Sequence, residues 1–259
     1  MFPFLIHHGD FYIPTFFFMV MTASLVTTFY IYRQAGKYGY SQIAILDFSM
    51  IGTIGGVIGA RLFHVFVEAP SYYWAHPSYV FHFWQGGFVG YGAFIGIIIS
   101  AITYLKIRKF PILEYADLIA LGCPLIVFFV RIGCLGAGCC YGKPTTFFLH
   151  LVFTNPASDA GQHMPGIPVH PTQLYDMTNA LITFVTVNWL YTRKKFHGQI
   201  FLTFLMMYAT MRFFIEFLRG DVDRGVYFNG IISTSQITGI IILIVCSFFY
   251  IKLSRKKIG

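Results

Sequence analysis

The chain has 259 residues, of which 56% are hydrophobic and only 11% are charged. This composition carries too much apolar surface for a water-soluble core and predicts an integral membrane protein. The formal net charge of +8 would suggest nucleic acid in a soluble protein. Here the cations stand in short clusters between apolar runs, where they meet anionic headgroups, so no nucleic-acid partner is expected.

Seven apolar runs reach the length of about twenty residues that a helix needs to cross a bilayer. They cover residues 11–32, 43–67, 87–107, 112–133, 172–192, 198–218 and 231–253. We therefore expect an all-α integral membrane fold, with one seven-helix domain over residues 1–259. No internal repeat is evident, which argues against a small-solute transporter.

Clusters of Lys and Arg follow every second run. They are Arg33 with Lys37, Lys106 to Lys109, Arg193 to Lys195, and Lys252 to Lys257. Because cationic loops remain in the cytoplasm, we predict a multi-pass protein of the inner (plasma) membrane, with the N-terminus outside and the C-terminus cytoplasmic. The first run has no cationic segment before it and is long enough to stay as a span rather than a cleaved signal.

One long polar stretch, at about residues 135–171, follows the fourth run on the outer side. It contains a β-like run from Phe147 to Phe153 and then a turn-rich piece. We predict a small extracytoplasmic cap, which is large enough for a rim or lid over a cavity but too small for a catalytic domain.

Glycines in the second and third runs are spaced four apart, which gives flat faces for close helix packing. The pairs are Gly52 with Gly56, Gly55 with Gly59, Gly86 with Gly90, and Gly92 with Gly96. Gly86 and Gly87 also stand at the outer entrance of the third run, where bare backbone can approach a lipid headgroup.

Arginines within apolar stretches need compensation, since each costs roughly 2.5–3.5 kcal/mol on the insertion scale. Arg212 and Glu216 are four apart and share one helix face. That pair is either a structural ion pair or a phosphate-binding cation beside a carboxylate that positions it or takes a proton. Arg61 either pairs with Asp47 or reaches the headgroups.

The segment that starts at Arg131 and reads Arg-Ile-Gly-Cys-Leu-Gly-Ala-Gly-Cys-Cys-Tyr-Gly is the strongest local pattern. Its four glycines break the fourth helix near membrane depth, where irregular backbone is tolerated only in protein or around a cavity. Arg131 is therefore expected to face a cavity. Cys134, Cys139 and Cys140 are open to several interpretations: inert small residues, a structural disulfide, nucleophilic or redox thiols, or metal ligands at a spacing that matches no zinc motif.

The fifth run opens with His170-Pro-Thr-Gln-Leu-Tyr-Asp, a polar start that contains proline. Gln173 and Asp176 lie on about one face of the predicted helix, and His170 lies just outside it.

These motifs, in this order, resemble those of the bacterial prolipoprotein diacylglyceryl transferases over nearly the whole chain. The matching segments are Trp84-Gln-Gly-Gly, Arg131-Ile-Gly with its turn to Tyr141-Gly142, His170 to Asp176, Arg212 to Arg219, and Ser235-Gln236-Ile. The resemblance implies a seven-helix transferase of lipoprotein biosynthesis. Such an enzyme moves the diacylglyceryl group of phosphatidylglycerol, or a related phospholipid, onto the lipobox cysteine of a preprolipoprotein and leaves glycerol phosphate. No cofactor or metal ion is expected.

The chain departs from the family's pattern at several polar positions. Cys134, Ala137 and Cys139 stand for two asparagines and a glutamate, Tyr91 for a histidine, Gln85 for an aspartate and Asp176 for a glutamate. The phosphate-binding arginines are retained, while polar groups near the expected chemistry are replaced by thiols and a phenol.

Transfer of a lipid group to a thiol needs a cation on the leaving phosphate, a route for the thiol proton and a dry cavity open to lipid. Arg131 and Arg212 are candidates for the cation, and Glu216, Asp176 or His170 for the proton route. The candidate catalytic residues are Arg131, Cys139, Cys140, Arg212, Glu216, Tyr91 and His170. The candidate substrate-binding residues are Arg61, Gly86, Gly87, Cys134, Gln173, Asp176 and Gln236.

The cysteines leave two further possibilities open. Cys139 or Cys140 is a candidate nucleophile if Arg131 lowers its pKa, and Cys139 is predicted to be the more reactive because it aligns with the family's glutamate. The alternative function is a membrane thiol oxidoreductase or sulfur-handling protein on the same fold. In it, Cys134, Cys139 and Cys140 would exchange electrons or sulfur with a partner.

Overall fold

The computed structural model describes residues 2–8, 11–82, 86–221, 225–227 and 232–255. Trp84, Gln85 and the last two lysines of the terminal cluster lie outside the described residues. Within these ranges four helices are long and apolar enough to cross a membrane, or five if one bent pair forms a single span. This agrees with the predicted class, an all-α integral membrane protein.

In chain order the elements are β1 (Phe4–His8), β2 (Phe11–Pro14), α1 (Thr15–Lys37), α2 (Gln42–Phe63), a π-helical turn (His64–Glu68), α3 (Pro70–Ala75), a 3-10 turn (Pro77–Phe81), α4 (Gly90–Ile107), α5 (Ile112–Ala120), α6 (Cys123–Ala137), β3 (Leu151–Val152), α7 (Asp159–His163), β4 (Pro168–Val169), α8 (Thr172–Tyr191), α9 (Gln199–Glu216), β5 (Val226–Tyr227), β6 (Ile232–Ser233) and α10 (Thr234–Ser254). They fall into a larger unit, residues 1–31 with 116–259, and a smaller unit, residues 32–115.

The long helices follow the predicted runs to within a few residues, with two differences. The first run was expected to be helical from residue 11, but β1 and β2 form an antiparallel hairpin and α1 begins only after Pro14. A residue that precedes proline is pushed into an extended conformation. The fourth run is bent by 41° between α5 and α6, because Pro124 has no N–H to continue the helical hydrogen bonding.

α8 and α9 occupy the predicted fifth and sixth runs with 20 and 18 residues. Neither helix is among the apolar span candidates. α8 carries a row of buried polar side chains, which lowers its hydropathy. These are Thr172, Gln173, Asp176, Asn179 and Thr183. Polar groups turned toward the interior of a membrane bundle mark a functional site rather than a lipid-facing surface.

In the smaller unit α2 packs on α4 through glycine. A Cβ on Gly59 would lie 2.8 Å from the Cα of Gly96, so the two backbones touch where the spacing predicted a flat face. Gly56 likewise lies against Ile97. The predicted packing pair of Gly86 with Gly90 is wrong, because α4 begins at Gly90 and the two do not share a helix.

In the larger unit α6 packs on α8, α8 on α9, and α9 on α10. Asp117 of α5 is fully buried and anchors the start of α9. Its carboxylate accepts hydrogen bonds from the backbone N–H groups of Gly198 and Ile200, both at 2.9 Å, and lies 3.3 Å from Lys194 Nζ. A carboxylate at this position neutralises the unpaired N–H groups at the first turn of a helix.

Residues 138–171, where the cap was predicted, fold around a small apolar cluster of their own. Tyr141, Phe153, Ala160 and Val169 are completely buried in it. β3 and β4 pair antiparallel beside the cluster. Of the predicted β-like run only its end, β3, forms a strand.

Candidate functional site

The glycine-rich turn after α6 gathers three sulfur atoms. Gly138 adopts a left-handed conformation (φ 70°), and the Cys139 N–H then donates to the Cys134 carbonyl at 3.1 Å, which is a common helix ending. Cys140 is also left-handed, with φ 59°, at a cost of order 1–3 kcal/mol for a residue that carries a Cβ. As a result the Sγ atoms of Cys134, Cys139 and Cys140 lie within 4.8 Å of one another.

All five cysteines lie in the described part of the chain, and each is a free thiol. The structural disulfide considered from the sequence is therefore not formed.

The first turn of α8 holds this turn by its backbone. Gln173 Nε2 donates to the Cys139 carbonyl at 2.8 Å, and Thr172 Oγ1 donates to the Cys140 carbonyl at 2.6 Å. Gln173 and Thr172 are almost completely buried. Gln173 was predicted to bind substrate, and the contact that the structure gives its amide nitrogen is with the protein backbone.

Gly142, just after the cysteines, contacts both the motif that starts at His170 and the motif that ends at Arg219. The Gly142 N–H donates to the His170 carbonyl at 3.1 Å, and Gly142 also pairs as an isolated β-bridge with Arg219. A Cβ on Gly220 would lie 2.6 Å from the Gly142 carbonyl oxygen, so this approach requires glycine. Three stretches distant in sequence thus meet within the larger unit.

Arg131 crosses from α6 to α8 and forms a buried ion pair with Asp176. Its Nε lies 2.9 Å from Asp176 Oδ2, and the two side chains are 12% and 3% exposed. Arg131 Nη1 also lies 3.7 Å from Cys134 Sγ. The second oxygen of the carboxylate, Asp176 Oδ1, is buried and has no hydrogen-bond partner among the described residues, and the same is true of Gln173 Oε1.

Arg212 and Glu216 form the ion pair that their spacing predicted, with 2.7 Å between Arg212 Nη2 and Glu216 Oε2. The side chains are 14% and 3% exposed. Arg212 Nη1 is buried and without a hydrogen-bond partner in the described ranges. Since buried donors in proteins nearly always have an acceptor, this nitrogen is available to an anionic ligand oxygen.

The three thiols differ in acidity. Hydrogen bonds from Cys134 and Cys139, followed by the positive charges of Arg219 and Arg131, lower the pKa of Cys140 against the opposing effect of burial. Hydrogen bonding with Cys134 and Cys140, together with burial, raises the pKa of Cys139. The sequence pointed to Cys139 as the activated thiol, whereas the geometry favours a thiolate at Cys140.

Arg61, in the smaller unit, uses all five of its N–H donors on backbone carbonyls. The acceptors are Val80 at 3.1 Å, Gly86 at 2.6 Å, Gly87 at 3.2 Å, Tyr79 at 2.6 Å and His82 at 3.3 Å. The expected alternative, a pair with Asp47, is wrong, since Asp47 accepts a hydrogen bond from Tyr104 at 2.8 Å instead. Arg61 therefore holds residues 79–82 and residues 86–87 in place.

The other candidates of the smaller unit surround this arrangement. Gly86 and Gly87 are left-handed, with φ 86° and 77°, and a Cβ on Gly87 would lie 2.6 Å from Arg61 Nη1. Glycine is thus required for Arg61 to reach their carbonyls. Tyr91 lies in the first turn of α4 with 63% of its surface exposed.

Gln236 takes part in a capping box at the start of α10. Its Oε1 accepts from the Ser233 N–H at 3.0 Å, while its own N–H donates to Ser233 Oγ at 3.2 Å. The side chain predicted to bind substrate therefore also caps the start of the helix.

The sequence analysis did not select Arg219, although it ends the Arg212 motif. Arg219 is buried, its Nε lies 2.7 Å from Asp221 Oδ1, and its charge acts on Cys140. The signal that identifies it is its position at the end of the Arg212 to Arg219 motif.

Comparisons with known proteins agree with this arrangement. Residues 3–252 match the family model described as prolipoprotein diacylglyceryl transferase. A phosphatidylglycerol–prolipoprotein diacylglyceryl transferase of Clostridium tetani is 32% identical over 92% of this chain and 93% of its own length. Proteins of the same name from Clostridium perfringens, 33% identical over 88% of this chain and 86% of their own, and from Symbiobacterium thermophilum, 31% over 82% and 78%, are also similar.

Maleimide labelling tests the order of thiol acidity. Because the pKa of Cys140 is lowered, its thiolate persists below the ordinary thiol pKa of about 8.5. Its labelling rate should fall less from pH 8 to pH 6 than that of free glutathione, which slows by about 100-fold. Fragment-ion sequencing of the labelled peptide separates Cys140 from Cys139, whose raised pKa makes it the internal control. Faster labelling of Cys139 at pH 6 would contradict this assignment.

Proposed function

The chain belongs to the prolipoprotein diacylglyceryl transferase family, and we propose that it transfers the diacylglyceryl group of phosphatidylglycerol to the lipobox cysteine of a preprolipoprotein. The observation that carries the proposal is a pair of buried arginine–carboxylate contacts in the larger unit, one of them with an arginine nitrogen that the described residues leave without a partner. The relatives named above are all transferases of this kind, so the thiol oxidoreductase alternative gains no support.

The proposed reaction makes one bond and breaks another. The lipobox thiol loses its proton, and its sulfur bonds to the terminal glyceryl carbon that carries the phosphate ester. The bond between that carbon and the phosphate oxygen breaks, so glycerol phosphate leaves with an additional negative charge. An enzyme accelerates such a step mainly by stabilising this developing charge.

Arg212 is the proposed cation for the leaving phosphate. Its Nη2 is fixed by Glu216 at 2.7 Å, while the buried Nη1 has no acceptor in the described chain. A phosphate oxygen would complete the planar fork that guanidinium groups form with anions. Arg131 is the second proposed cation. Its guanidinium is held by two contacts, from Nε to Asp176 and from Nη1 to Cys134.

Asp176 is the best placed of the proposed proton acceptors. Oδ2 is held by Arg131, whereas the buried Oδ1 has no partner in the described ranges, and a general base must present an oxygen that is free to take the proton. His170, whose Nδ1 lies 3.4 Å from the Tyr175 hydroxyl, and Glu216 are the other proposed members of this route. We assign Cys140, with its lowered pKa, to the polar surroundings of the reaction rather than to a covalent relay, since a thioether on Cys140 would not be released.

The smaller unit, taken by itself, carries a second proposed lipid contact. An apolar groove of about 700 Å³ runs along α2 and α4 and is lined by residues such as Ile58, Leu62 and Ile95, which suits an acyl chain. Arg61 is a positioning residue in this proposal, because its donors are occupied by the backbone carbonyls of residues 79–80 and 86. The exposed hydroxyl of Tyr91 is a proposed donor to a headgroup.

The proposed setting is the inner membrane, with seven spans, the N-terminus outside and residues 138–171 as an extracytoplasmic cap. α8 and α9 fill the fifth and sixth predicted runs, and the cationic clusters alternate between loops. This orientation also places the polar turn after α6 and the polar start of α8 at the same leaflet, the outer one.

Reporter fusions test this orientation. Alkaline phosphatase, which is active only outside the cytoplasm, should be active when inserted after residue 160 and inactive after residue 195 or at the C-terminus. Green fluorescent protein at the same positions should give the reverse pattern. Active phosphatase at residue 195 would overturn the proposed placement of the site.

Substitution of Arg212 tests the proposed function. Arg212→Lys keeps the charge but removes the planar fork, so we expect kcat/KM for a lipobox peptide to fall by about 100-fold, which corresponds to roughly 3 kcal/mol of charged hydrogen bonding. Glu216→Gln should lower it less, because Arg212 keeps its charge. The assay follows thioether formation by mass spectrometry.

Arg193→Lys is the matched control, since Arg193 lies over the Trp189 ring outside the buried region and should keep full activity. Arg212→Met replaces the arginine with an apolar chain of similar length. If Arg212→Met retained wild-type kcat/KM, the pair with Glu216 would be structural and the phosphate role would be refuted.

A further inference from the structure

The three sulfur atoms are clustered more closely than the proposed lipid transfer requires, since that reaction uses none of them as a nucleophile. Cys134 lies in the last turn of α6 and is buried, while Cys139 and Cys140 lie just beyond the helix and are half-buried. Their three Sγ atoms are within 4.8 Å of one another. Sulfur ligands about 2.3 Å from a common ion lie about 3.8–4.0 Å apart, so the thiols need to close by no more than about 1 Å.

The backbone holds these sulfurs in place before any ion arrives. Gln173 and Thr172 bind the carbonyls of Cys139 and Cys140 at 2.8 and 2.6 Å, and the left-handed turn at Cys140 directs its side chain toward the other two. Ligands that are fixed by neighbouring hydrogen bonds lose little freedom on binding, which favours affinity.

We propose that Cys134, Cys139 and Cys140 form a binding site for a single soft cation of the monovalent copper class, held by three thiolates. Thiolate ligands select soft ions. Among the described residues no fourth His, Cys, Asp or Glu ligand atom joins the group, and a structural zinc site needs four. Copper(I) is satisfied by three sulfurs.

Charge balance is compatible with this assignment. Three thiolates and one monovalent cation carry a net negative charge, and Arg131 Nη1 lies 3.7 Å from Cys134 Sγ. Each sulfur that is still protonated releases its proton to solvent on binding, and the ion keeps its oxidation state. No electron is transferred, so no oxidant or reductant is required.

The site goes beyond the proposed transferase function and can be tested apart from it. The full chain, purified in detergent without oxygen, is titrated with copper(I) against the chelator bicinchoninate. We expect one ion per chain, and X-ray absorption should show three sulfur neighbours. The variant in which Cys134, Cys139 and Cys140 are all replaced by Ser should bind at least about 100-fold more weakly.

Two control variants make the result specific. The double substitution Cys123→Ser with Cys246→Ser removes the cysteines outside the cluster and should retain the ion. Arg212→Lys should lose lipid transfer and retain copper(I), so failure of either proposal is visible without the other. An unmodified chain that cannot compete with the chelator, or a triple Ser variant that binds as tightly as the unmodified chain, would overturn the copper site.

Discussion

The ion pair between Arg131 and Asp176 is the interaction on which the rest of the site depends. It joins α6 to α8 in a buried position, where removal of one partner typically costs about 3–5 kcal/mol because a charge is left unpaired. In the first turn of α8, Thr172 and Gln173 donate hydrogen bonds to the backbone of the turn after α6. One helix start therefore fixes both the arginine and the cysteine backbone, and the glycines of the turn allow the close approach of the segments from His170 and Arg219.

This arrangement leaves polar atoms that the protein does not satisfy. Arg212 Nη1, Asp176 Oδ1 and Gln173 Oε1 are buried without hydrogen-bond partners among the described residues, and a membrane protein normally satisfies such groups internally. The arginine donor suits an anionic phosphate of the substrate, and the two acceptor oxygens suit a thiol proton. Membership of the transferase family independently supports a substrate with these two groups.

The sequence predicted the helices well because apolar length alone decides where a span lies, as the near agreement for α2, α4 and α10 shows. It missed the β1–β2 hairpin and the bend at Pro124, where local backbone preference outweighs hydrophobicity. The Arg212–Glu216 pair followed from spacing within one helix. Arg61 did not, since its partners are backbone carbonyls and leave no side-chain pattern in the sequence.

Of two further misses, one had a signal in the sequence that could have been used. Ser233-Thr-Ser-Gln236 is a capping-box pattern, so the position of Gln236 at a helix start was readable. The order of thiol acidity was not readable, because it depends on how a left-handed turn places Cys140 against Cys134 and Cys139 and, to a smaller extent, near Arg219 and Arg131.

Product analysis of the unmodified protein is the decisive experiment for the proposed lipid transfer. The purified chain is incubated with phosphatidylglycerol and a synthetic lipobox peptide, and the peptide and the water-soluble phosphate are measured together. We expect a diacylglyceryl thioether that resists neutral hydroxylamine, formed in equal amount with glycerol phosphate, and no product on a peptide with Ser in place of Cys. A hydroxylamine-labile adduct, a disulfide-linked adduct or no adduct at all would contradict the proposed lipid transfer.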